Sequence, residues 1–173
     1  LFPYTTLFRS KFAGLKNTDS ILGACVNNKV QNLNYRIYSP KTVEFLDIHS
    51  TAGRRIYAFS LMFMLYKAVK DLYPDKELFI QHSMSDGYYC EIPDLQSGIE
   101  NVVSEIKSRM LQMVEENIPF GRRIVPVEEA SDLFEKLGMS EKAELIRNSN
   151  RLYANLDLLG ETCYFGASYE NDT

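Results

Sequence analysis

Few side chains in this sequence are of a type that can do chemistry, and their spacing decides which chemistry is open to them. There are two histidines, His49 and His82, and three cysteines, Cys25, Cys90 and Cys163. The cysteines are odd in number, far apart and without a CxxC pair, a pattern of reduced thiols, not of a disulfide framework or structural zinc. Neither histidine has a second ligand at metal spacing beside it, so both read as solvent or turn residues. His82 falls in an expected loop from His82 to Gly87 in which Asp86-Gly87 makes the tight turn. No G-x-x-x-x-G-K-[ST] occurs, so the chain holds no Walker-type phosphate cradle. Arg54-Arg55 with Lys67 and Lys70, and separately Arg122-Arg123, could meet the phosphates of RNA or a nucleotide. The net charge of −4, or −5 without the first ten residues, opposes non-specific nucleic-acid binding and confines any such site to a local patch. The plainer reading of these cations, and of Glu115-Glu116, Glu128-Glu129 and Glu141, is solvated faces.

The chain that must position these groups is 173 residues long, 45% apolar and 24% charged, which excludes collagen-like, disordered and disulfide-scaffold classes. Its longest uncharged-by-type run, Ile56 to Tyr66, is too short to cross ~30 Å of hydrocarbon, and no signal peptide opens the sequence. A cytoplasmic protein with no membrane partner is the expectation. Leu1 to Ser10, LFPYTTLFRS, reads as the in-frame translation of a common sequencing adapter and is set aside from fold reasoning, as a tag would be. With Thr173 falling in mid-pattern, the sequence is expected to be an open reading frame truncated at both ends.

Residues 20 to 48 read as short strands and turns, with Asn27-Asn28 as a hairpin signal because Asn tolerates positive φ. Val43 to Ile48 has the mixed pattern of a mostly buried strand. From Arg54 to Leu72 the apolar residues Ala58, Leu61, Met62, Leu65, Tyr66, Val69 and Leu72 build one helix face, stopped by Pro74. Glu77–Ile80 and Gly87–Ile92 are expected strands. A second helix fits Ile99 to Glu116, with Ile99, Val102, Val103, Ile106, Met110, Met113 and Val114 facing inward. A strand over Arg122–Val125, a helix over Val127–Leu137 ended by Gly138, and a helix over Ser140–Arg147 with Ser140 as N-cap follow, then turn and strand from Leu152.

The wording of these elements is similar to a known pattern. Val26 to Leu33 looks like the "VNG…DL" hairpin, and Val43-Glu44-Phe45-Leu46 like the "ELE" strand, of the N-terminal region of threonyl-tRNA synthetases. Ala68 to Asp75, Asp86-Gly87-Tyr88-Tyr89, Glu115 to Phe120, and Glu128-Glu129-Ala130 with Leu133-Phe134 resemble the motifs of that family's editing domain. The resemblance implies an α+β fold: an adapter-derived segment over 1–10, a partial TGS-like β-grasp module over 11–50, and over 51–173 an editing-like domain with a long central helix packed on an antiparallel sheet. It also shows a loss. The family's HxxxH helix ligands fall on Phe59 and Phe63, and its later Cys-x-x-x-His pair on Tyr164 and Ser168, so the metal-dependent editing site is degenerate and no cofactor is expected in this fragment. Phe59 and Phe63 then either line an apolar pocket able to stack a base or belong to the core.

A second resemblance is to bacterial uridine-type nucleoside kinases of the phosphoribulokinase/uridine kinase family, which carry a similar region ahead of a P-loop domain. It rests on Val26 to Val30, Leu33 to Arg36, Tyr38, Val43 to Ile48, Leu65 to Val69, Ile106 to Met110 and Leu159 to Thr162. It implies a regulatory, nucleoside- or RNA-binding region, inactive alone, whose partner is the parent's own C-terminal kinase domain with ATP and Mg. The alternative is a threonyl-tRNA synthetase fragment or an aminoacyl-tRNA deacylase domain.

Overall fold

The computed structural model describes residues 4–5, 20–33, 35–85, 87–93, 95, 98–160 and 163–168, the first and last of these segments by their backbone. Among the described residues it is a mixed α and β structure of small antiparallel sheets and four helices, the expected α+β class. Two compact units divide at Met62/Phe63, inside the longest helix.

In the first unit, strands β1 (Tyr4–Thr5), β2 (Gly23–Val26), β3 (Lys29–Gln31), β4 (Arg36–Ile37) and β5 (Val43–Leu46) precede helix α1 (Thr51–Leu72). β2 lies between β3 and β5, both antiparallel to it. Asn27 and Asn28 adopt φ of 47° and 65°, the left-handed pair that a two-residue hairpin turn requires. Asn27 Oδ1 also accepts the Thr42 N–H at 2.9 Å, tying the turn to the chain entering β5. Ala24, Val26, Ile37 and Leu46 are buried. The expected strand from Val43 to Ile48 is shorter and less buried: it ends at Leu46, its one buried residue. Asp47 instead starts the helix. Its Oδ1 accepts the N–H groups of His49 and Ser50, and Ser50 Oγ accepts the Gly53 N–H at 3.0 Å, the geometry of an N-cap. The helix therefore begins at Thr51, earlier than its apolar period from Arg54. Tyr4–Thr5, within the segment set aside as adapter, pairs antiparallel with β4, because an open strand edge accepts extended backbone of any origin.

The second unit holds the end of α1, the hairpin β6 (Phe79–Met84) and β7 (Gly87–Glu91), α2 (Ile99–Glu115), β8 (Phe120–Pro126), α3 (Val127–Lys136), α4 (Ser140–Arg147), β9 (Tyr153–Leu159) and β10 (Cys163–Ser168). β9 is the middle strand of an antiparallel sheet ordered β10-β9-β8. Successive residues of β9 point to opposite faces, and each face has its own core. Ala154 and Leu156, with Val125 of β8, pack under α3 and α4 through Ala130, Phe134, Ala143 and Ile146. Leu159 packs on the other side with Phe63, Ala68 and Val69 of α1 and Ile106 and Met113 of α2.

Several expectations need correcting here. His82 is not in a loop: β6 runs through it to Met84, and the turn forms at Ser85, whose φ is 51°. Asp86 lies outside the described residues. α2 faces one layer only, so Ile106 and Met113 are buried and Val102 and Met110 partly so, whereas Ile99, Val103 and Val114 are exposed. Ser140 is the first helical residue, with Met139 at the cap and no side-chain capping bond. Gly138 does end α3 in the left-handed conformation, φ 75°. Among the described residues, no helix is long and apolar enough to cross a membrane.

Candidate functional site

The positions that the family resemblance assigns to a degenerate editing site start on α1. Phe63 is 1% exposed and meets the Phe120 ring edge-on at 5.9 Å between centroids, inside the core it shares with α2 and β9. Phe63 is thus a core side chain, the second of the two readings that its position allowed. Phe59, one turn earlier and in the first unit, is 43% exposed. Tyr164 and Ser168 lie on β10, paired in register with Leu158 and Asn155 of β9. A register shift between Tyr164 and Gly166 intervenes, and Leu158 and Asn155, three residues apart, belong to opposite faces of β9.

The basic residues divide by what they already hold. Lys67 pairs with Asp71 at 3.1 Å, and Lys70 Nζ donates to the carbonyls of Pro74 and Lys76 at 3.3 and 3.0 Å, closing the C-terminal end of α1. Arg54 and Arg55 are exposed in the first unit. Arg122 pairs with Asp157 at 2.9 Å and Arg123 with Glu129 at 3.3 Å. Lys67 and Lys70 therefore serve the helix end, and Arg54 and Arg55 remain the members of that set with open faces.

The remaining reactive types have structural surroundings. The His82 ring stacks on Tyr89 across the β6–β7 hairpin, centroids 5.5 Å apart and planes 22° from parallel. Cys90 donates weakly to the Tyr88 carbonyl, and burial pushes its thiol pKa up, away from the thiolate that a nucleophile or metal ligand needs. Among the described residues no group of three or more His, Cys, Asp or Glu is arranged to hold a metal ion.

A polar network joins the ends of α1 and α2, and charge counting had not singled it out. Arg109 Nε and Nη2 both donate to Asp71 Oδ2, at 3.0 and 2.7 Å, and Arg109 Nη1 lies 3.5 Å from Glu116. Tyr73 donates a short hydrogen bond to Glu105, which raises the phenol pKa. Asp71, Tyr73 and Arg109 sit in motifs quoted for the family resemblances, so the signal was present, without the roles.

No protein-family model matches the chain. It is similar to the threonine–tRNA ligases of Clostridium kluyveri, 32% identical over 127 residues, and of Desulforamulus reducens, 33% identical over 125 residues. These alignments cover 73% and 72% of this chain and 20% of each ligase. The ligase of Teredinibacter turnerae is 26% identical over 156 residues, 90% of this chain and 24% of its own length. The chain thus spans about a fifth of the relatives it matches, and it contains a threonyl-tRNA synthetase-like region. The likeness favours the synthetase side of the earlier alternatives and lends the nucleoside kinase parent no support.

Proposed function

With a threonyl-tRNA synthetase-like region as premise, we propose that this chain is a non-catalytic binding module related to a synthetase editing domain, in which metal-dependent deacylation has been lost. Phe63 carries the reading. A hydrolytic metal site keeps an open coordination position for water, and its helix ligands must face a wet cleft. Position 63 is sealed in an apolar core and bears a benzyl group that can neither bind metal nor move a proton. The retained role is recognition, of RNA or a nucleoside, with Arg54 and Arg55 as the phosphate-facing candidates and no cofactor in this region.

Incubating the purified chain with Ser-tRNA and zinc tests this. The expected outcome is no deacylation above the protein-free rate and no stoichiometric zinc. Turnover that is lost in Ser168→Ala or Tyr164→Phe would establish a working deacylase and end the proposal.

A second reading concerns the longer protein. The motif resemblance read at Val26 to Val30, Val43 to Ile48 and Leu159 to Thr162 would fit a cytoplasmic nucleoside kinase whose separate P-loop domain binds ATP and Mg, a parent that the relatives found do not support. Reading the source locus past codon 173 decides it: a Walker A motif within about 150 codons, one domain length, supports the kinase. A synthetase catalytic core there removes it.

A further inference from the structure

No further inference is drawn: the strongest candidate, the exposed apolar stripe of Ile99, Val103 and Val114 along α2, is a helix face for which nothing in the structure shows what covers it.

Discussion

Placing a histidine at position 63 separates a closed core position from one that could hold a ligand. In Phe63→His the imidazole enters a site bounded by Ala68, Val69, Ile106, Met113 and Leu159, and by the Phe120 ring. Much of the apolar burial of a phenyl ring, about 1.5–3 kcal/mol, is lost. The ring N–H and the free nitrogen find no polar side chain among the buried residues of that cluster, and an unsatisfied buried polar group costs about 1–3 kcal/mol. Together these place the loss at about 2.5–6 kcal/mol, which brackets the range of a full Phe→Ala truncation and is a large share of a typical domain's stability. Urea denaturation followed by far-ultraviolet circular dichroism reads it as a fall of more than about 1 M in the midpoint of the transition that reports the second unit. The pH dependence has a definite sign. The buried imidazole is held neutral, with its folded pKa below the unfolded value near 6.5, so the unfolded chain binds more protons in acid and the defect deepens as pH falls below about 6.5. Phe59→His, at a half-exposed position, costs less than about 1 kcal/mol. If Phe63→His left the midpoint unchanged, or if zinc stabilised Phe59→His/Phe63→His above the parent chain, the placement of Phe63 in a closed core would be refuted.

Gly53→Ala should destabilise the first unit despite alanine's helix preference of about 1 kcal/mol, because the added Cβ would lie 1.7 Å from the Asp47 carbonyl oxygen; thermal denaturation showing a gain would contradict that close approach. Asn28→Val places a β-branched residue at φ 65° and should cost about 1–2 kcal/mol, whereas Asn28→Gly should be neutral or stabilising, a contrast that paired melting curves resolve. The hydrogen bond to Glu105 raises the Tyr73 pKa above 10, so its contribution to stability is present below pH 10 and is lost as pH rises through the folded value. Spectrophotometric titration of the parent chain and Tyr73→Phe should therefore differ by a late-ionising phenol, and Glu105→Gln should bring that phenol earlier. Asp71→Asn should weaken the α1–α2 junction by about 1 kcal/mol or less, since Asp71 and Arg109 remain partly solvated; hydrogen exchange in α2 should quicken without global unfolding.

Elements whose order is set by local chemistry were legible in the sequence: the Asn27-Asn28 turn, the four helices, and the Gly138 stop. What escaped is decided by partners distant in the chain. Period 3.6 offers α2 seven inward residues, but one packing layer covers only part of its circumference, so Ile99, Val103 and Val114 stay outside. The start of α1 depends on Asp47 and Ser50 accepting backbone N–H groups, chemistry that an apolar period does not register. His82 was assigned to a loop because polar residues interrupt the apolar run. In a hairpin of largely exposed residues, polar side chains are no obstacle to a strand, and stacking on Tyr89 holds His82 there. For the candidate site, the expectation that Phe59 and Phe63 stand at the HxxxH positions rests on the resemblance alone. Whether Phe63 lined a pocket or filled a core could not be read from the sequence, because both require a large apolar residue on one helix face.

The synthetase-like stretches and the proposed loss of ligands are compatible in structural terms. In the stretch from Ala68 to Tyr73, Ala68 and Val69 are fully buried against α2 and β9, and Lys70 closes the helix end. Asp71 receives Lys67 and both donors of Arg109, and Tyr73 reaches Glu105. These side chains join α1 to its neighbours, and none needs a metal or a substrate. A folded scaffold needs those contacts whatever a cleft does, which is compatible with the proposed loss of ligands at Phe59 and Phe63. Phe63 moreover contributes apolar burial that a histidine at that position would forgo, so the residue present favours a closed core over metal chemistry there.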